Sequence, residues 1–273
     1  MPSYVITGVS RGLGYEFLRQ LSSDPNDIVI GTVRDKAATL KKVSEDADLK
    51  NRSNIHLLEV DLTNYEALKR AAEDAAKITG GSLDYLIANA AYVSQFDSYD
   101  PIGVLGTDKP QELEEDLKQA FNTNVVSNIH LYNLFMPLIL KGQTRKAIVI
   151  STGMAEMDLV NKYEVDVGSL YSISKAAMNM VTAKFNAQYK KDGVLFLSIS
   201  PGVVDVGKYT ELTPHQTARM GGMMQKFAQY APHFTGPMTP EQSARAVRSV
   251  WEKATVQENA GDFISHLGNK QWL

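Results

Sequence analysis

Cysteine is absent from the 273 residues of this chain. Without a thiol there is no disulfide framework, no thiolate nucleophile and no cysteine-based zinc site. Any chemistry must therefore come from oxygen and nitrogen groups, and the scattered histidines lack metal-ligand spacing, so no metal is expected. The absence of cysteine is compatible with a reducing compartment, and we predict a cytoplasmic protein.

An excess of basic charge is also missing, because 28 Lys and Arg stand against 31 Asp and Glu. Surfaces that bind nucleic acid are rich in Lys and Arg, so no nucleic-acid partner is expected. No apolar stretch approaches the roughly 20 residues of a membrane span, and the first apolar run is too short for a signal peptide. We therefore expect no membrane partner either.

What the sequence does contain is a regular alternation of short apolar runs and longer helical patterns. Runs such as "AIVIS" and "LFLSIS" are continuously apolar, which is typical of strands covered on both faces. Strands that alternate with helices indicate crossover units and a parallel sheet. We predict one α/β domain over residues 1–273, with a Rossmann-type doubly wound parallel sheet of about seven strands and helices on both faces. The strand candidates are Tyr4–Thr7, Ile28–Val33, Ile55–Val60, Leu83–Ala88, Ala147–Ser151, Val194–Ser200 and Asp262–Ser265, and the helical candidates are 12–22, 64–79, 110–140, 169–191 and 240–254.

A glycine-rich segment, "TGVSRGLG", follows the first strand and opens the first helix. Glycines allow a tight turn and a close approach of the backbone to a pyrophosphate, and the helix N-terminus offers that anion free N–H groups. A glycine-rich turn without a ligand is the alternative, but the strand–turn–helix context favours a dinucleotide site. The predicted contacts are Gly8, Ser10, Arg11, Gly12, Leu13 and Gly14.

The end of the second strand, "GTVRDK", indicates which dinucleotide binds. NAD sites commonly place an acid near this point to hold the ribose 2′-hydroxyl. Here Arg34 comes first, and a guanidinium suits a 2′-phosphate through charge-assisted bonds. Arg11 in the glycine loop could reach the same phosphate. We predict NADP(H), with two solvated surface arginines as the alternative.

Tyr171 and Lys175 stand four residues apart in "SLYSISKAAMNM", so their side chains share one helix face. The same face continues as a mostly apolar stripe through Met178, Thr182 and Phe185. A free phenol has a pKa near 10, and an adjacent ammonium lowers it towards the range useful for proton transfer. The pair is a candidate acid/base, and the alternative is a helix-edge pair whose lysine reaches water.

Six motifs in order resemble the short-chain dehydrogenase/reductase family over nearly the whole chain: "TGVSRGLG", "EVDLTN", "LIANAA", "NTNV", "YSISK" and "SPGVVD". The ends of the chain, with "TPEQSARAVRSVW" and "AGDFISHLG", are most similar to the carbonyl reductase subgroup that includes sniffer and C-factor proteins. The resemblance implies that Tyr171 exchanges a proton with the substrate oxygen and that Lys175 also holds the nicotinamide ribose. It implies further cofactor contacts at Asp61, Leu62, Asn89, Ala90, Pro201, Gly202 and Val204.

The resemblance also assigns Asn124 to a water-mediated proton relay, with an asparagine bonded to nearby backbone as the alternative. Asn128 on the same face fits that structural interpretation better. The family's substrate-polarising hydroxyl falls at Thr152, and Ser151 is kept as the alternative because successive strand residues face opposite sides. A threonine of the family is replaced by Val206, and the interval up to Tyr171 is longer than usual, which predicts an extra loop over "EMDLVNKYEVD".

A segment at about 203–240 interrupts the sheet pattern and is predicted to form a lid. Met220, Met223, Met224 and Phe227 have helical spacing, which indicates an amphipathic helix, and methionines adapt to irregular apolar ligands. We expect a small apolar or aromatic carbonyl substrate. The resemblance implies a homodimer or homotetramer, paired through the helices that carry Asn124 and Tyr171.

The leading hypothesis is an NADP(H)-dependent oxidoreductase that reduces a ketone or aldehyde, or oxidises the alcohol. Two alternatives remain open on the sequence. One is a specialised biosynthetic reductase acting on a C=N or C=C bond. The other is a non-catalytic NADP(H)-sensing protein, since fold alone does not separate binding from turnover.

Overall fold

The computed structural model describes residues 1–207 and 211–273. Within them, seven strands form one parallel sheet in the order β3-β2-β1-β4-β5-β6-β7. The chain order reverses between β1 and β4, and in doubly wound sheets the ligand crevice lies at that point. The predicted fold class is confirmed, and strand bounds differ from the prediction by at most two residues. The strands are β1 Ser3–Thr7, β2 Ile28–Val33, β3 Ile55–Glu59, β4 Tyr85–Ala88, β5 Lys146–Ile150, β6 Leu195–Ser200 and β7 Phe263–Ser265.

Helices cover both faces of this sheet. Each face has its own apolar core, one including Phe17, Leu18 and Trp251 and the other Tyr132 and Phe135. None of the helices in the described residues is long and apolar enough to cross a membrane. The helices are α1 Gly12–Leu21, α2 Lys36–Glu45, α3 Tyr65–Ile78, α4 Ile102–Asp108, α5 Pro110–Phe121, α6 Ser127–Ile139, α7 Met157–Tyr163, α8 Ser169–Tyr189, α9 Pro214–Tyr230, α10 Pro240–Lys253 and α11 Val256–Asn259.

The helix predicted over 110–140 is interrupted by a π-helical turn at Asn122–Val126, between α5 and α6. A π turn inserts one residue and rotates the side chains that follow it. The inserted turn carries Asn124, which is fully buried. The departure from a single α-helix therefore occurs at a predicted site residue.

Besides the four-residue α11, three helices were not predicted from the sequence: α2, α4 and α7. Each buries a single side chain, namely Thr39 in α2, Leu105 in α4 and Leu159 in α7. A helix with so narrow a buried face produces almost no 3.6-residue apolar periodicity. The loop predicted over "EMDLVNKYEVD" is wrong in its first part, because α7 occupies most of it. Glu164, directly after α7, has a φ of 54°.

Candidate active site

A cleft of about 960 Å³ opens at the carboxyl ends of the strands. It is also bordered by the first turn of α8 and by one face of α9. Two predicted catalytic residues, Lys175 and Asn124, are buried in the described structure and do not line it. All other predicted site residues line the cleft: Gly8, Ser10, Arg11, Gly12, Leu13, Gly14, Arg34, Asp61, Leu62, Asn89, Ala90, Ser151, Thr152, Tyr171, Pro201, Gly202 and Val204.

The glycine loop has the shape that an anion site requires. A Cβ atom on Gly14 would lie 2.1 Å from the Gly8 carbonyl oxygen, so a larger residue is excluded there. Gly8 has a φ of +75°, which favours glycine. The residue preceding α1, Arg11, makes no side-chain cap bond, so the first N–H groups of the helix remain available. These features fit a bound pyrophosphate.

The adenosine end of the cleft carries two arginines. Arg34 follows β2 directly and Arg11 lies in the glycine loop, and both are exposed. Neither guanidinium forms a hydrogen bond or salt bridge to the part of the chain that the structure describes. Bonds from Thr63, with a smaller contribution from the Arg34 charge, lower the pKa of Asp61. The Lys42 amine, which the sequence analysis missed, donates to the Ser10 carbonyl at 3.1 Å.

The helix face of Tyr171 and Lys175 is arranged as its spacing predicted. Tyr171 is half-buried on the cleft wall, whereas Lys175 is 1 % exposed. The Lys175 nitrogen lies 5.6 Å from the centroid of the Tyr171 ring and donates to the Ile150 carbonyl at 2.7 Å. Burial lowers the pKa of Lys175 to about 8. The ammonium thus remains mostly charged at neutral pH, close to a phenol whose anion it would stabilise.

Asn124 ties α8 to the loop after β4. Its amide oxygen accepts from the Tyr92 N–H at 2.7 Å, and its amide nitrogen donates to the Tyr92 carbonyl and to the Ser174 hydroxyl, both at 2.9 Å. Ser174 in turn donates to the Tyr171 carbonyl at 2.7 Å. Asn124 is therefore bonded to nearby backbone, as the structural alternative predicted. Its part in a proton relay stays a prediction. The Asn128 amide donates to the Asn124 carbonyl at 2.9 Å.

The two candidate hydroxyls after β5 have different partners. Ser151 is buried and donates to the Asn179 amide oxygen of α8 at 2.8 Å. Thr152 is half-buried, and its hydroxyl oxygen accepts from the Met154 N–H at 3.3 Å. An accepting hydroxyl keeps its own proton for donation. This arrangement favours Thr152 as the group that polarises a substrate.

Helix α9 presents its methionine face to the cleft, as the spacing predicted. Met220, Met223, Met224 and Phe227 all line it. The helix is fastened by Arg219, which donates to Asp166 at 3.0 Å and to the Tyr99 carbonyl at 2.7 Å, and by Lys226, which donates to Asp166 at 2.8 Å. The predicted lid segment also includes residues 208–210, which lie outside the described residues. Whether the segment moves stays a prediction.

Sequence reasoning missed three further residues of the site. Asp97 and Ser174 bond to the first two turns of α8, and Trp272 lines the cleft beside Gly153. A Cβ atom on Gly153 would lie 2.6 Å from that of Trp272, so the two segments are in tight contact. Ser174 lies inside "YSISK" without being one of its two signature residues, and Asp97 and Trp272 belong to no local motif. Nothing in "SQFDSYD" distinguishes Asp97 from the nearby Asp100, because the partner of the Asp97 carboxylate lies 73 residues later in the chain.

The sequence profile described as short chain dehydrogenase matches residues 3–217. The chain belongs to the short-chain dehydrogenase family. Its similarity to curated members extends over the full length of both chains, with 60 % identity to the short chain dehydrogenase virK of Hypocrea virens and 52 % to the short-chain dehydrogenase/reductase iacC of Pestalotiopsis fici. The predicted family is thereby confirmed, and the chain is an oxidoreductase of that family.

Solved structures show the same fold at low sequence identity. The NADPH-bound carbonyl reductase from chicken fatty liver superposes with a TM-score of 0.75 at 20 % identity, covering 98 % of each chain. The carbonyl reductase Sniffer of D. melanogaster gives a TM-score of 0.75 at 24 % identity, again covering 98 % of each chain. The fold of this short-chain dehydrogenase is therefore that of sniffer-like carbonyl reductases.

Proposed function

We propose that this short-chain dehydrogenase is an NADP(H)-dependent carbonyl reductase, with Tyr171 as the general acid and base. The observation that carries the proposal is the buried Lys175 ammonium, 5.6 Å from the ring of a phenol on the cleft wall. Burying an ammonium costs free energy, and within the described residues its hydrogen bond is to one carbonyl group. A charge retained at that cost indicates a catalytic task.

The open N-terminus of α1 would hold the pyrophosphate of the dinucleotide, and Asp61 and Leu62 would flank the adenine. Arg34 and Arg11 would hold the 2′-phosphate, because their guanidinium groups are exposed and project at that end of the cleft. Bound NADP(H) supplies or accepts the hydride. That the chicken liver reductase of the same fold is described with NADPH supports this choice. The remaining contacts to the dinucleotide would be made by Asn89, Ala90, Lys175, Pro201, Gly202 and Val204.

The residues of the chain handle the proton and the carbonyl oxygen. The Thr152 hydroxyl donates a hydrogen bond to that oxygen, which polarises the carbonyl. Tyr171 then gives its phenolic proton to the same oxygen, and Lys175 stabilises the phenolate that remains. In the oxidative direction the phenolate takes the proton of the alcohol. Ser151 also lines the cleft, but its hydroxyl proton is donated to Asn179 of α8.

The substrate is an apolar or aromatic carbonyl compound in this account. Four of the five α9 side chains that line the cleft are apolar, as are Leu159 and Trp272 on neighbouring walls, and the fifth, Arg219, is paired with Asp166. Methionine side chains adapt to ligands of irregular shape, which suits a flat or branched organic ketone. The same wall would exclude water when the lid helix is docked, which strengthens every polar contact at the carbonyl.

We propose a homo-oligomer that pairs through α8 and the π-helical turn. Val126, Ile173 and Met180 lie on these elements and are 41 %, 41 % and 59 % exposed. Apolar side chains that recur on neighbouring helices form a surface that a second copy of the chain would cover. Light scattering measures the mass in solution, and a monomer at micromolar concentration would remove this part of the proposal.

Incubation of the protein with NADPH and a panel of ketones, aldehydes, imines and enones tests the function. Loss of nicotinamide absorbance with ketones or aldehydes, and a greater rate with aromatic ones, is the expected result. Turnover of imines or enones alone would favour the specialised reductase instead. Tight NADPH binding without turnover of any compound would favour the sensing protein.

A further inference from the structure

The helix that carries Tyr171 begins without a cap of its own. Gly168 occupies the N-cap position of α8 with a φ of 65° and has no side chain to offer. The first N–H groups of any helix lack partners inside the helix, and a neighbouring Ser, Thr, Asp or Asn usually accepts from the second or third of them. In α8 these are the N–H groups of Leu170 and Tyr171.

Asp97 supplies the missing cap from the loop after β4. Its carboxylate accepts from the Leu170 N–H at 2.6 Å and from the Tyr171 N–H at 3.4 Å. Its backbone carbonyl also accepts from the Gly168 N–H at 2.8 Å. Asp97 thus accepts three hydrogen bonds from the start of the catalytic helix, including one from Leu170, 73 residues later in the chain.

Burying the Asp97 carboxylate costs free energy. Asp97 is 1 % exposed, and burial raises the pKa of its carboxyl, although the two N–H groups act in the opposite direction. Position 168 cannot supply a cap, because its φ of 65° favours glycine and a Cβ atom there would lie 2.9 Å from the Met154 methyl group. What the distant acid adds is a fixed distance between the loop and the helix.

The same loop is fastened to the second helix of the site. Tyr92 bonds through its backbone N–H and carbonyl to the Asn124 side chain, as described above. The loop also lines the cleft with Ser94, Gln95 and Ser98. Asp97 therefore closes a chain of contacts that runs from Asn124 through the loop to the backbone of Tyr171.

We propose that Asp97 is a positioning residue of the reaction: by capping α8 it fixes where the Tyr171 phenol stands in the cleft. The inference rests on the proposed function only in requiring that Tyr171 transfers the proton. A general acid displaced by about 1 Å can lose on the order of 10²-fold in rate. Apart from Lys175, which lies one turn further along α8, the proposed cofactor contacts lie on other elements and stay in place.

Two variants and a control test the role. Asp97→Ala removes the cap, Asp97→Asn keeps an oxygen acceptor, and Thr255→Ala deletes a comparable cap from the remote helix α11, where Thr255 accepts from the Glu258 N–H at 3.2 Å. We expect Asp97→Ala to lower kcat at least about tenfold with the Kd for NADPH within about twofold of wild type, and Asp97→Asn to recover most of kcat. Thr255→Ala leaves kcat unchanged.

A measurement without turnover separates this inference from the proposed function. Amide hydrogen exchange at Leu170 and Tyr171, together with the ¹³C resonance of the Tyr171 ring assigned by its loss in Tyr171→Phe, reports the cap and the phenol directly. If no carbonyl compound is reduced by wild type, faster exchange and a shifted ring resonance in Asp97→Ala still support the positioning role. Unchanged exchange, an unchanged ring resonance, or wild-type kcat in Asp97→Ala overturns it.

Discussion

The amine of Lys175 lies 5.6 Å from the centroid of the Tyr171 ring, on a helix face that is otherwise mostly apolar. The ammonium is almost fully removed from water, and its hydrogen bond in the described residues is to the Ile150 carbonyl. Such a charge destabilises the folded chain, and it is retained where function needs it. The following predictions concern this pair and the cleft around it.

Lys175→Met is expected to change how stability depends on pH. The pKa of Lys175 is about 8 in the folded chain and 10.5 when unfolded, so between these values the unfolded state binds more protons. The free energy of unfolding of wild type should therefore rise relative to the variant as the pH increases from about 8 to 10.5, by about 1–3 kcal/mol. Urea titrations across this range measure the difference, with Lys190→Met at an exposed site as control. A constant difference would contradict the buried charge.

Arg34→Ala is expected to weaken the binding of NADPH and leave that of NADH unchanged. A charge-assisted contact to the 2′-phosphate is worth about 1.5–3 kcal/mol, which corresponds to roughly a 10- to 100-fold increase in Kd. Fluorescence titration with both dinucleotides measures the two constants. Arg245→Ala is the control, because Arg245 is exposed and pairs with Glu241 on its own helix. An equal increase in the Kd for NADPH and for NADH would show that Arg34 does not contact the 2′-phosphate.

Thr152→Val and Ser151→Ala are expected to have unequal effects. Valine keeps the shape of threonine and removes the hydroxyl, so kcat should fall by roughly 10²-fold if Thr152 polarises the carbonyl. Ser151→Ala removes one bond to Asn179 and should lower kcat much less. Steady-state kinetics with saturating NADPH distinguishes the two. The reverse order would move the polarising role to Ser151.

Asp166→Asn is expected to loosen the lid helix. The Asp166 carboxylate accepts hydrogen bonds from both Arg219 and Lys226. Partial burial acts to raise the pKa of Asp166, but these bonds outweigh it and lower the pKa to about 2. Without the charge, trypsin should cut α9 faster, and the KM for the carbonyl substrate should rise. High salt should have a similar effect on wild type, because partly exposed ion pairs are screened. If trypsin cleaves Asp166→Asn no faster than the exposed-site control Asp158→Asn, the ion pairs of Asp166 do not hold α9 in place.

The sheet was predictable because its strands are buried on both faces. β2 has the predicted bounds, and the β1 and β6 runs are buried at every position. Most residues of the cleft could be predicted once the strands were, because the motifs stand at strand ends and the carboxyl ends of parallel strands meet at one edge of the sheet. Helix α10 was predicted to within one residue for a related reason, as its capping box at Thr239 and Gln242 is local.

The remainder depended on contacts that no local pattern records. α2, α4 and α7 each bury one side chain and lack the periodicity of a packed helix. The Asp97 carboxylate accepts from Leu170, 73 residues later in the chain. The bond between Tyr92 and the Asn124 side chain is likewise invisible in the sequence, where the resemblance implied only a proton relay. Such partners become evident only when the chain is folded.

Replacement of Tyr171 by phenylalanine tests the central claim most directly. The measurement is the rate of NADPH oxidation with a ketone or aldehyde that wild type reduces, alongside the Kd for NADPH. Loss of the phenolic proton should lower kcat by at least about 100-fold while the Kd stays within about twofold, because general acid catalysis contributes 10²–10⁴-fold. A variant that keeps near-wild-type turnover would show that another group protonates the substrate and that this account is wrong.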